Sequence, residues 1–107
     1  MANRITIIQG NDVSMVVTVT DENDAVVNLT GATVNLTIHD DGTAVYTDSN
    51  TSHTTPASGV TTFEIDKTDT ADFPAPSLLR YEVEVTLSDG AKYTAIRDLI
   101  EVNQDKT

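Results

Sequence analysis

Leu79-Arg80-Tyr81-Glu82-Val83-Glu84-Val85-Thr86-Leu87, then Ser88-Asp89-Gly90, then a second strand-like run from Ala91 to Val102, is the stretch that decides the fold. Side chains on a strand alternate between its two faces. Tyr81, Val83, Val85 and Leu87 therefore share an inner face, with Glu82 and Glu84 outside. Ser-Asp-Gly between two such runs is a hairpin signal. The return strand changes phase: Tyr93 and Ala95 fall on one side, Ile96, Ile100 and Val102 on the other. An inserted residue near Ala95 to Arg97, a β-bulge, accounts for the switch.

The same period of two runs upstream. Val13, Met15, Val17 and Val19 alternate with polar residues up to the turn Asp21-Glu22-Asn23-Asp24, and Val34, Leu36 and Ile38 alternate up to Asp40-Asp41-Gly42. Arg4 to Ile8, a short strand at 44–46 and Val60 to Ile65 (Phe63 and Ile65 inward) complete about seven strands. Residues 48–58 are polar and read as a mobile loop or irregular edge. Lys67 to Phe73 suits one helical turn, stopped by Pro74 and Pro76. With 107 residues, no repeat and no linker, residues 1–107 read as one domain with one core, an all-β sandwich.

Composition narrows the function. There is no cysteine, hence no disulfide, thiolate metal site or thiol nucleophile. Seventeen acidic residues against six basic give a net charge of −11, which repels phosphate backbones and argues against nucleic acid as a partner. No apolar run is long enough for a membrane-spanning helix, and Met1-Ala2-Asn3-Arg4-Ile5-Thr6 lacks the apolar stretch of a signal peptide. No membrane partner is expected.

His39 and His53 stand apart in different turns, whereas zinc needs three or four convergent ligands. Three acidic clusters, Asp21/Glu22/Asp24, Asp40/Asp41 and Asp66/Asp69/Asp72, do not follow the calcium-loop pattern of alternate oxygens and a distal Glu. Turn residues that bond their own backbone are the simpler reading. Glu82 and Glu84 share a strand face but point to solvent, unlike a glycosidase pair across a cleft. No Gly-x-Ser-x-Gly elbow or phosphate-binding glycine loop occurs. The expectation is a non-enzyme with no cofactor and no metal site.

Three segments carry a resemblance. Gln9-Gly10-Asn11-Asp12 with Asp21-Glu22-Asn23-Asp24, then Val27-Asn28-Leu29-Thr30-Gly31-Ala32-Thr33-Val34, then Leu79 to Val85 with Ser88-Asp89-Gly90 resemble, in order and spacing, the immunoglobulin-like domain at the N-terminus of phage baseplate upper proteins and similar small stand-alone phage proteins. The resemblance covers residues 5 to 102. It departs from the family pattern at Asn11, Asp24 and Ser77-Leu78. It implies an immunoglobulin-like antiparallel β-sandwich that folds in the host cytoplasm and becomes a virion part. The implied role is a capsid-decorating or tail/baseplate accessory subunit whose partners are other virion structural proteins, with homo-oligomers on the particle a further possibility. The rival expectation is a glycan- or calcium-binding adhesion module. Docking is expected at sheet edges by strand addition: Arg4, Ile5, Thr6, Ile7 and Ile8 on one edge, the 43–47 strand on another, with Tyr46 as the contact aromatic.

Overall fold

The computed structural model describes residues 5–21 and 23–104. Seven strands appear in chain order: β1 (Ile5–Ile8), β2 (Val13–Thr18), β3 (Thr33–Asp40), β4 (Thr43–Asn50), β5 (Val60–Ile65), β6 (Ser77–Thr86) and β7 (Lys92–Asn103). A five-stranded sheet in the order β1-β7-β6-β3-β4 faces a two-stranded sheet, β2-β5. This is an immunoglobulin-like sandwich, with the β7-β6-β3-β4 order of a sheet extended by one strand on the β3 side.

The inward residues read from the alternation form the core. Val34, Leu36 and Ile38 of β3, Leu79, Tyr81, Val83 and Val85 of β6, and Ile100 and Val102 of β7 face Met15, Val17, Phe63 and Ile65 of the smaller sheet, and all are buried. Leu29, Val19 and Phe73 close the ends. Leu87 is only partly buried against this cluster. Val83 pairs with Ile96 but Glu84 pairs with Thr94, so Ala95 is the extra residue, a bulge where the phase change required one.

The structure departs from the sequence reading in three places. First, the consecutive hairpin pairs are antiparallel as expected, but β1 runs parallel to β7, Ile5 opposite Ile100 and Ile8 opposite Asn103. Second, β4 is longer than the 43–47 run, reaching Asn50. Third, residues 48–58 are tied down rather than loose. Asn50 Nδ2 donates to Thr62 O (2.7 Å) and Thr61 Oγ1 (3.0 Å), Leu29 N donates to Pro56 O (2.8 Å), and Pro56–Ser58 form a 3₁₀ turn. Polar composition pointed to a loop, but Asn50 is satisfied by β5 and the Pro56 carbonyl by Leu29 N.

The helical turn α1 (Lys67–Thr70) is present, capped by Asp66, whose carboxylate accepts from Thr68 N at 3.2 Å.

Candidate docking surfaces

The segments that carry the family resemblance are structural. Gln9 Nε2 donates to Phe73 O (2.9 Å), Gly10 N donates to Thr70 Oγ1 (3.1 Å), Thr70 Oγ1 donates to Asn11 O (2.7 Å), and Asp12 accepts from Lys67 N (2.8 Å). Gln9 to Asp12 thus clamp α1 to the end of the sandwich. Leu29 is fully buried, and a side chain on Gly31 would meet Ser88 Cβ at 3.1 Å, so the Leu-Thr-Gly-Ala turn packs on the Ser-Asp-Gly hairpin.

Glu82 and Glu84 lie on the outer face and pair with Arg97 (3.2 Å) and Lys92 (3.3 Å). Asp21 accepts from Asn23 N (2.8 Å) and Ala25 N (3.1 Å), and Asp66 caps α1. These are turn and cap roles. Glu22 lies outside the described residues. No group of three or more His, Cys, Asp or Glu that could hold a metal occurs among the described residues. His39, read from the sequence as a turn residue, lies instead within β3, on its outer face opposite Arg80 and Ala44, because the strand runs on to Asp40. His53 is half-buried and bridges the two sheets: Ala32 O lies 2.9 Å from Nε2, and Thr61 Oγ1 lies 3.0 Å from Nδ1.

Both strands expected at edges are outermost strands of the larger sheet. Arg4 lies outside the described residues. On β1, Ile7 is buried in the core and Ile5 half-buried, while Thr6 and Ile8 are exposed, Ile8 at 43%. Tyr46 does not stand out as a contact aromatic. It takes the inner phase of β4, opposite Ile38, and packs edge-to-face on Phe73 with ring centroids 6.1 Å apart. Its hydroxyl donates to Asp48 at 3.3 Å, and burial with the nearby Asp48 and Asp69 charges pushes its pKa up to about 12.

Sequence reasoning missed a third open edge of the larger sheet. β1 covers β7 only from Ile100 to Asn103, so among the described residues Lys92 to Leu99 pair on the β6 side alone. The edges of β4 and β7 are built alike. β4 carries a bulge at Val45, since Ile38 pairs with Tyr46 and His39 with Ala44, and three residues later Asp48 on the inner phase accepts from Ser49 N at 2.8 Å. β7 carries its bulge at Ala95, and three residues later Asp98 on the inner phase accepts from Leu99 N at 2.8 Å. Bulges and inward-pointing charges are devices that keep an exposed edge from pairing with another chain. Each aspartate also adjoins a tyrosine. Burial first, and then the Asp98 charge, pushes Tyr81 up to about 12. Among the described residues, β1 carries neither device.

No family model matches the sequence, and no curated protein does. Among solved structures, the immunoglobulin-like domain of mouse leukocyte-associated immunoglobulin-like receptor 1, crystallised as a strand-swapped dimer, superposes with a TM-score of 0.48 at 16% identity, over 92% of this chain and 86% of that one. The strand order itself makes this chain an all-β, immunoglobulin-like sandwich.

Proposed function

We propose that this chain is a non-enzymatic docking module of a tailed-phage virion, attached to capsid, tail or baseplate proteins as a decorating or accessory subunit. The reading is supported by the family resemblance over residues 5 to 102 and by a body whose polar side chains are spent on turns, caps and sheet-to-sheet bonds. The observation that carries the docking mode is the contrast between the edges of the larger sheet. β4 and β7 are both blocked by a bulge and an inward aspartate, whereas β1 presents Thr6 and Ile8 with no such guard. A neighbour's strand adding to Ile5–Ile8 forms few main-chain bonds, so affinity per copy is modest and many copies on a symmetric particle supply the rest.

The test is particle assembly with the variant Thr6→Glu/Ile8→Lys, both exposed positions. The isolated variant melts like the parent, and its density of about 11 kDa is missing from electron-microscopy maps of particles that carry the parent chain. Full incorporation of the variant contradicts the β1 edge. Absence of the parent chain from purified particles contradicts the virion role.

A further inference from the structure

Charge on this protein is distributed unevenly. The pairing registers assign the outer face of the five-stranded sheet row by row: Thr6–Glu101–Leu78, then Leu99–Arg80–His39–Ala44, then Arg97–Glu82–Thr37–Thr47, then Thr94–Glu84–Asn35–Ser49, then Lys92–Thr86–Thr33. This face holds three basic and three acidic side chains and is neutral. The other described residues hold twelve acidic side chains against one basic, Lys67. The face is also where an apolar side chain is most exposed on the larger sheet, Leu78 at 52%.

Over three rows of the face the charges form columns: β7 supplies Arg97 and Lys92, and β6 beside it supplies Glu82 and Glu84. Further along, Glu101 of β7 and Arg80 of β6 reverse the signs, each with a leucine, Leu78 or Leu99, as its register partner. A two-fold axis lying along the strands between β6 and β7 brings the β7 column of one copy over the β6 column of the other. Arg97 and Glu82 are register partners, so each Arg97 then sits over the other copy's Glu82 at the same height along the strand. Such a surface is complementary to itself, as an isologous contact must be. The other described residues set acid mostly against acid, with Lys67 the one base among them.

From these observations we infer that the outer face of the five-stranded sheet is a self-association surface, occupied by a second copy of this chain packed face to face about that axis. The inference does not depend on a virion partner. At strand spacings of about 4.8 Å the five strands offer about 500 Å² a side, the low end for a specific interface. The dimer is therefore weak and concentration-dependent in solution. The guarded edges of β4 and β7 fit the same picture, because they shut the alternative of open-ended strand addition.

Sedimentation velocity on the full chain from micromolar to millimolar concentration tests this. The parent chain forms a reversible dimer. Arg97→Glu and Glu82→Arg, at an exposed and a half-buried site and each melting like the parent, weaken self-association by about tenfold or more, because like charges then face each other across the axis. An equimolar mixture of the two variants restores a heterodimer, since both cross-axis pairs become opposite in sign again. A parent chain that stays monomeric at millimolar concentration overturns the inference. So does a dimer indifferent to both charge reversals, or a mixture that fails to pair. If Arg97→Glu instead abolishes particle incorporation of a monomeric parent chain, the face belongs to a different protein and self-pairing is wrong.

Discussion

His53 and Thr61 meet across the gap between the sheets, imidazole Nδ1 to hydroxyl oxygen at 3.0 Å. The carbonyl of Ala32, 2.9 Å from Nε2, can only accept, so Nε2 carries the proton and Nδ1 accepts from Thr61. Thr61 is fully buried, and its oxygen also accepts from Asn50 Nδ2 at 3.0 Å. One imidazole thereby joins the entry to β3, the end of β4 and β5, where a further strand beside β5 would otherwise close the small sheet. Removing it leaves a buried hydroxyl and a carbonyl short of a partner, at about 1–3 kcal/mol. His53→Ala should lower the urea midpoint accordingly, and a double-mutant cycle with Thr61→Val should show clear coupling. Additive losses would mean the two side chains act separately.

Gly59 and Gly42 both have positive φ, at +74 and +87, yet substitution should separate them. A Cβ on Gly59 would lie 2.8 Å from Val19 O and 2.9 Å from Val27 O, both backbone atoms that cannot swing away. A Cβ on Gly42 meets nothing within 4 Å. Gly42→Ala should cost about 1–2 kcal/mol from the left-handed backbone alone. Gly59→Ala should cost clearly more, measured by the same denaturant series.

Tyr46 and Tyr81 should ionise late. Burial, with Asp48 beside one and Asp98 beside the other, pushes both up to about 12, and burial raises Tyr93 as well. The folded state disfavours tyrosinate, while the unfolded chain ionises near its ordinary value of about 10. Stability is therefore insensitive to these groups below pH about 10 and falls as pH rises from there toward about 12. Tyrosinate absorbance of the native protein should stay low through this window and appear at about pH 10 in urea. A native midpoint near 10 would contradict the inward placement of these rings.

Inside and outside of the small sheet should differ sharply. Phe63 is fully buried opposite Met15, and Val16 on the neighbouring position of β2 is 65% exposed. Phe63→Ala should cost about 3–5 kcal/mol. Val16→Thr should stay within about 0.5 kcal/mol. Comparable losses at the two sites would mean that the phase of β2 and β5 is wrong.

Local patterns carried most of this fold. Val34/Leu36/Ile38 and Tyr81/Val83/Val85 set their own inward faces, and the bulge at Ala95 showed itself because the strand on either side is long enough to reveal a change of phase. The bulge at Val45 was hidden, since Ala44-Val45-Tyr46 is too short to display one. Residues 48–58 misled because the partners of Asn50, His53 and Pro56 are distant in sequence. The parallel pairing of β1 with β7 is likewise long-range. It follows that the edge at Ile5–Ile8 was legible, whereas the open flank of β7 and the inward ring of Tyr46 were not. The neutral face needed the registers, because Arg80, Lys92 and Arg97 cluster only once β6 and β7 lie side by side.

The claim that this protein meets partners through chosen surfaces, with two of its edges deliberately shut, is tested most directly by opening them. Asp48→Val/Asp98→Val removes both inward carboxylates together with their bonds to Ser49 N and Leu99 N. Light scattering at fixed protein concentration, with a cooperative melt confirming that the variant is folded, should show open-ended, β-rich assemblies that the parent chain does not form. A folded double variant that scatters no more than its parent would mean that these aspartates guard nothing.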